Sequence, residues 1–281
     1  MDDWLAELEE QLKSIGDCEK SEKLSQWFKE IFQDSDANLS ISEAMSAALE
    51  SRYGVRFFVL RHSVDMDEWI HVEKNYECRG DKEFRIIYAG NILPQKELQS
   101  LTDIIEAVSR LHGQGMRVRI ELYGAKFLTG KYARRLISSP AVEYKGFVSR
   151  AEFPRLLADA DLLIVPVNFD SESLRFIRYS FPAKVPEYMA SGTPIVVYGP
   201  KGTPPVDYAR AAGWGYVVTE RDSALLEAGI LELMRSSELR TQLGQKARQL
   251  AFRDHNAAMM RQKFWELMCD VAFGELHAGI E

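Results

Sequence analysis

Cysteine is scarce in this sequence: Cys18, Cys78 and Cys269 are odd in number and far apart. No C-x-x-C pair and no cysteine–histidine grouping with ligand spacing occurs, which removes a disulfide framework, a structural zinc site and a dithiol redox motif. The first residues lack the charged-then-apolar pattern of a secretory leader, so the thiols are expected to be free in a reducing cytoplasm. Long apolar runs are missing too. Leu162-Leu163-Ile164-Val165 falls far short of the roughly 20 residues a membrane-spanning helix needs, which leaves only peripheral contact with a membrane face open. There is no excess of positive charge: 35 Lys and Arg against 42 Asp and Glu give a formal net charge of −7, which argues against a general nucleic-acid binder. Internal repeats and low-complexity tracts are absent as well.

What is present suits a packed protein. Of 281 residues, 46% are hydrophobic and 11% aromatic, enough for one large domain or two small ones. Residues 1–33 carry Trp4, Leu5, Leu8, Leu12, Ile15, Leu24, Trp27, Phe28, Ile31 and Phe32 at helical spacing, predicting two amphipathic helices broken near Gly16-Asp17. A short strand within 36–42, a helix capped by Ser42 and running through Ser51, then Tyr53-Gly54 and a strand over 55–60 follow. Residues 73–83 are charged and turn-rich, a linker. From Phe84 the pattern alternates. Strands are predicted over 84–89, 117–123, 142–144, 162–167, 194–198 and 215–219, with helices over 98–111, 131–137, 150–157 and 208–212 and a helical tail from 223. This rhythm implies an α/β doubly wound parallel sheet with a helical N-terminal segment. Ligands of such sheets sit beyond the carboxyl ends of the strands. In the last helix, Met259, Met260, Phe264, Trp265, Leu267 and Met268 are read as a packing stripe.

The stretch SFPAKVPEYMASGTPIVVYGP, residues 180–200, organises the rest. Pro182 suits a first helical turn, Ser180 is a nearby capping hydroxyl, and Gly192 suits a left-handed stop. Lys184 and Glu187 lie three apart on one helix face near its positive end, where a cation and a carboxylate can hold a phosphate and a sugar hydroxyl; an ordinary ion pair is the competing reading. The loop Gly90-Asn91-Ile92-Leu93-Pro94-Gln95-Lys96 joins a strand to a helix. Its glycine permits close approach and Lys96 adds a point charge, against the plainer reading of a solvated helix-start lysine. Asp159 and Asp161 meet only where a helix gives way to a strand, and His62 and His255 are isolated, so neither group is assigned a role.

Residues 180–196 closely resemble the donor-site motif S-x-P-x-K-x-x-E-Y-M-A-x-G-x-P-I-V of retaining glycosyltransferases with the two-domain B-type fold, family 4 and its relatives. The resemblance implies a Rossmann-like donor-binding domain over 84–281, a linker over 73–83, and over 1–72 a partial acceptor domain with the segment leading out of it. Ser42-Glu43-Ala44-Met45, Arg52-Tyr53-Gly54 and Val64-Asp65-Met66-Asp67 with Trp69 resemble the family there. So short an acceptor half suggests a truncated piece, or a half reduced or supplied elsewhere. Lys96 matches the diphosphate-binding lysine of the loop, while Asn91 stands where arginine is common. That departure leaves Lys184, with Arg175 or Arg178, to share the charge. Tyr123-Gly124-Ala125 is similar to a Y-G-x-G turn, with Lys126 in place of the second glycine. Lys145-Gly146-Phe147-Val148 resembles the segment against the nucleobase, and Glu187 the glutamate that accepts from the ribose hydroxyls. Tyr179 replaces a second, sugar-contacting glutamate; Glu172 lies farther upstream.

The implied activity is sugar transfer with retention from a nucleoside-diphosphate sugar to a glycan, lipid-linked or protein acceptor, without a metal or other cofactor. Lys96, Lys184 and Glu187 are the implied catalytic set, and Gly90, Asn91, Gly124, Phe147, Val148, Ser180 and Pro182 bind donor. A non-catalytic nucleotide-sugar-binding module is the rival reading. A nucleotide-sugar 2-epimerase of the same fold would need acidic and histidine residues that find no place here.

Overall fold

The computed structural model describes residues 8, 11–77, 82–124 and 136–274. Cys78, Lys126, most of the helix expected over 131–137, most of the first amphipathic helix and part of the 73–83 stretch lie outside the described residues.

The N-terminal part is a small α/β unit. Residues 11–14 are helical, and the chain breaks at Gly16 before α1 (Cys18–Asp34), capped by Asp17. Strand β1 (Asn38–Ser40) pairs in parallel with β2 (Phe57–Val59) across α2 (Glu43–Tyr53). The Ser42 side chain accepts from the Met45 amide at 3.2 Å, the expected cap, and Gly54 ends the helix in a left-handed turn. Met45, Leu49, Tyr53 and Phe57 form its core, with Phe28 and Phe32 of α1 against them.

The larger part is the predicted doubly wound sheet. Its strands are β3 (Phe84–Ala89), β4 (Val118–Tyr123), β5 (Val142–Gly146), β6 (Leu162–Pro166), β7 (Ile195–Tyr198) and β8 (Tyr216–Val218). They lie in the order β5-β4-β3-β6-β7-β8, every pair parallel. Side chains alternate across such a sheet, and both faces are covered. Ile87, Ala89, Leu163 and Val165 enter a core with Trp69, Trp214 and Leu250. Ile86, Tyr88, Leu162 and Ile164 enter the other, with Ile104, Leu111 and Ile230. The helices are α3 (Leu98–Gly113), α4 (Phe153–Asp159), α5 (Ser171–Ile177), α6 (Val185–Ala190), α7 (Pro204–Ala212), α8 (Ser223–Arg235), α9 (Ser237–Asp254) and α10 (Ala257–Phe273).

Three expectations are corrected. No helix is expected between the strand over 162–167 and residue 180, yet α5 lies there; the Asp170 carboxylate accepts from the Ser173 amide at 2.8 Å and starts it. Pro182 lies before α6, in a turn where its carbonyl accepts from the Val185 amide at 3.0 Å, and Pro186 takes the early-helix position. Ser180 likewise precedes that turn and makes no cap. In α10 only Met260 and Leu267 are buried. Met259, Phe264 and Trp265 stay exposed, Trp265 at 70%, so half of the stripe is not packing among the described residues.

The strand-to-helix stitching runs through the chain after the N-terminal unit. Arg248 of α9 donates to the carbonyls of Val72 (2.6 Å) and Trp69 (2.8 Å). Buried Arg240 donates to Leu233, Met234 and Tyr76 carbonyls at 2.6 to 3.2 Å. The Tyr76 hydroxyl donates to the Gly192 carbonyl at 2.8 Å, just after α6. Helix α9 approaches this point through Gly244, where an added methyl carbon would sit 2.0 Å from the Gly192 carbonyl oxygen. Gly244→Ala is therefore expected to destabilise the fold by about 1–3 kcal/mol, as overpacking against backbone does. Urea unfolding would check it, and an unchanged midpoint would contradict the close approach.

Candidate functional site

The strand order reverses between β3 and β6: successive crossovers carry the chain outward from β3 through β4 to β5, then back past it to β6, β7 and β8. Loops leaving the two strands diverge at such a point and leave a crevice. A cavity of about 330 Å³ lies there, and Gly90, Asn91, Lys96, Ser180, Pro182 and Lys184 all line it, joined by His62 from the N-terminal unit. The structure thus gathers six of the expected site residues at one place.

Lys184 is the centre of this group. Its Nζ donates to the Tyr88 hydroxyl at 2.7 Å and lies 3.9 Å from the centre of that ring. The Tyr88 hydroxyl in turn donates to the Asn91 carbonyl at 2.5 Å, so the lysine, the end of β3 and the loop form one chain of hydrogen bonds. Gly90 has a φ of 152°, and a Cβ there would stand 3.1 Å from Lys184 Nζ. Burial pulls the Lys184 ammonium down to about 8, opposed only by the Glu97 carboxylate. Burial pushes the Tyr88 hydroxyl well above its ordinary value.

Lys96 is held by an asparagine that sequence reasoning missed. Asn168 is fully buried just beyond β6. Its amide N–H donates to the Lys96 carbonyl at 2.9 Å. Its side-chain oxygen accepts from the Gln99 and Ser100 amides at 3.0 and 3.2 Å, capping α3, where Glu97 supplies no side-chain cap. Its side-chain nitrogen donates to the Pro94 carbonyl and the Ser173 hydroxyl at 2.8 and 3.0 Å. A polar residue closing an apolar strand, with every group satisfied, fixes both loop and helix start. The N-x(4)-S spacing to α5 is the only sequence trace of it.

Glu187 is elsewhere. It does not line the cavity; its carboxylate pairs with Arg150, which also grips Glu68 at 2.5 Å. Hydrogen bonding to Glu187, then to Glu68, holds the Arg150 guanidinium above its usual value. Arg150 lies shortly beyond Phe147 and Val148. Phe147 is 76% exposed and Val148 half-buried. Gly124 joins this edge, its amide donating to the Gly146 carbonyl at 2.9 Å, and a Cβ on it would meet the Gly90 carbonyl oxygen at 2.8 Å. The expected residues thus form two groups: a cationic cavity, and an edge carrying Glu187, Phe147, Val148 and Gly124.

Of the remaining candidates, Tyr179 packs against the core of the N-terminal unit and Arg178 lies 5.3 Å from its ring. Glu172 is exposed in the first turn of α5. Asp161 is structural, accepting from the Arg85 amide at 2.8 Å. Among the described residues no group of three or more His, Cys, Asp or Glu is placed to hold a metal ion, and no helix is long and apolar enough to cross a membrane.

The depressed Lys184 has a consequence for stability. Between pH 8 and the ordinary lysine value of 10.5 the unfolded chain holds a proton that the folded chain has released. Stability rises with pH wherever the unfolded state binds more protons. Wild type is therefore expected to gain about 1–3 kcal/mol relative to Lys184→Met as pH climbs through that window. Parallel pH dependences of the two proteins in denaturant titrations would contradict the buried ammonium.

Residues 73–250 match the family profile described as glycosyl transferases group 1. No curated protein matches the chain by sequence. Among solved structures, S. aureus TarM, in a complex with fondaparinux, alpha-GlcNAc-glycerol and UDP, superposes with a TM-score of 0.64 at 17% identity, over 87% of this chain and 46% of that one. Sucrose-phosphate synthase from Thermosynechococcus elongatus gives 0.67 at 13% identity, over 90% and 62%. Anabaena HepE, in complex with UDP and glucose, gives 0.64 at 18% identity, over 88% and 67%. The chain spans about half the length of TarM.

Proposed function

The chain belongs to the glycosyl transferases group 1 family, and we propose that it transfers a sugar, with retention, from a nucleoside-diphosphate sugar to a hydroxyl of a glycan or lipid-linked acceptor. The observation that carries this reading is the convergence of Lys96 and Lys184 on one cavity at the switch point, with the Gly90 backbone open beside them. Two cations from different loops, both half-buried, suit a diphosphate and neutralise it without a metal ion. Catalysis is then mostly positioning, together with stabilisation of charge that grows on the departing diphosphate. In a front-side displacement the acceptor oxygen bonds to the anomeric carbon as its bond to the β-phosphate oxygen breaks, and the acceptor proton passes to that leaving oxygen. The step asks for no enzyme nucleophile.

In this reading residues 84–281 bind the donor, residues 1–72 are what the chain carries of an acceptor domain, and 73–83 join the two. Glu187 accepts from the ribose, with Phe147 and Val148 beside the base, after Arg150 yields its hold on the carboxylate. The presence of UDP in the TarM and HepE structures makes uridine the first base to try.

A second reading, a nucleotide-sugar-binding module without transfer, is favoured by one observation. Tyr179 stands where relatives resembling this chain carry a sugar-contacting glutamate, and it packs into the N-terminal core. Supplying radiolabelled nucleotide sugars separates the two, since bound donor with no hydrolysis or transfer would favour the module.

Calorimetry with UDP and with uridine tests the site. Lys96→Ala is expected to weaken UDP binding by about 1–3 kcal/mol and leave uridine nearly unaffected; equal losses would remove Lys96 from the phosphate site. Glu187→Ala is expected to weaken both ligands by a similar amount, and Arg150→Ala to strengthen both by freeing the carboxylate. Unchanged affinities in both variants would take Glu187 out of the site.

A further inference from the structure

The cationic cavity also holds one acid. Among its lining residues the single carboxylate is Glu97, at the start of α3 and next to Lys96. It is half-buried, and its Oε2 accepts from the Leu93 amide at 3.2 Å, which ties it back to the loop that carries Asn91 and Lys96. Its charge reaches across the space. Burial lowers the Lys184 ammonium, and the Glu97 carboxylate opposes that; burial lifts the Tyr88 hydroxyl, and the same carboxylate lifts it further. Glu97, Lys96 and Lys184 therefore surround one volume.

A bare diphosphate leaves this acid badly placed. Phosphate oxygens repel a carboxylate at close range, and neither has a hydrogen to offer the other. Lys184 makes no ion pair with Glu97 among the described residues; its Nζ goes to the Tyr88 hydroxyl instead. A ligand that satisfies the whole cavity must set O–H or N–H donors between the acid and the phosphates. In a nucleoside-diphosphate sugar the group next to the outer phosphate is the sugar ring. Neighbouring hydroxyls on that ring present two donors at a spacing that both oxygens of a carboxylate accept, and each oxygen has lone pairs beyond the one Leu93 uses. The wall formed by Ile177, Phe181 and Pro205 is apolar and suits the C–H faces of the ring. Other acids do not compete for this place. Glu187 pairs with Arg150 outside the cavity, Glu172 is exposed on α5, and Tyr179 packs into the N-terminal core.

We propose that Glu97 reads the sugar of the donor, its carboxylate accepting from two neighbouring hydroxyls while Lys96 and Lys184 hold the diphosphate. The inference rests on the proposed donor site and adds a specificity residue to it. A negative charge at that point admits neutral and amino sugars and rejects a uronic acid, whose own carboxylate would face it.

Calorimetry on the whole chain tests the role. UDP, GDP and ADP are titrated first, and the diphosphate that binds is compared with its glucose, mannose and N-acetylglucosamine conjugates. Glu97→Gln keeps a carbonyl oxygen for the Leu93 amide. It is expected to weaken the best-bound conjugate by about tenfold, while the bare diphosphate stays within about threefold or binds more tightly once a repulsion is gone. Glu97→Asp, which keeps the charge one methylene farther back, is expected to lose the same conjugate by a smaller factor. Equal losses of conjugate and diphosphate would overturn the proposal and make Glu97 a counter-ion of the lysines. Unchanged conjugate affinity in both variants, or a wild type that binds a diphosphate and none of its conjugates, would overturn it too. Should none of the three diphosphates bind wild type, the donor reading itself fails and takes this role with it.

Discussion

A single hydroxyl couples the helix that carries the candidate site to the strand that supports it. Tyr188, fully buried in α6, accepts from the Ala89 amide at 2.7 Å and donates to the Ala89 carbonyl at 3.0 Å. The last residue of β3 would otherwise leave both backbone groups unpaired at a strand end deep in the fold, a cost comparable to losing the bonds outright. Because the clamp sits one turn beyond Lys184, it fixes the distance between that lysine and the Gly90 loop. Lys184, Tyr88 and Asn91 then form their chain of hydrogen bonds across a gap that Tyr188 has already set. The glycine at position 90 follows from this spacing, since a side chain would press on the ammonium.

Two charges, Glu121 within the sheet and Lys184 at the start of α6, differ in what meets them. Glu121 is 1% exposed in the middle of β4; burial pushes its carboxyl up, but Arg85 and Arg119 at 2.8 and 2.9 Å outweigh it and hold it below the ordinary value. That group is complete, and it has no need of a ligand. The Lys184 ammonium has a hydroxyl and an aromatic face but no ion pair among the described residues, and burial lowers its proton affinity. A charge paired with carboxylates stabilises the fold it sits in, while one left with partial dipoles is stabilised by an anion that arrives later.

Much of this was legible in the sequence. The buried strands showed as short apolar runs, and the Ser42 cap and the left-handed glycine at 192 appear where their residue types place them. What failed has local reasons. Pro182 and Pro186 both qualify for an early helical position, and backbone hydrogen bonding chose the second. Helix α5 has a mixed composition and is started by Asp170, whose role depends on Asn168 holding Ser173 beside it. The Glu187 position was found by motif, yet its partner Arg150 lies far away in sequence, and no spacing rule reaches across that gap. The stripe on α10 shows the limit of periodicity: apolar spacing reports a face, and whether anything covers that face depends on parts of the fold that the helix itself does not encode.

The cationic cavity takes part of its wall from the N-terminal unit because that unit is anchored at one seam. Val64 and Asn256 form a parallel bridge, the Val64 amide donating to the His255 carbonyl at 2.8 Å and the Ala257 amide to the Val64 carbonyl at 3.0 Å. The same seam carries the contact between His255 Nδ1 and the His62 carbonyl, and His62 lines the cavity. A backbone bridge outside the cavity thus sets where one of its walls stands.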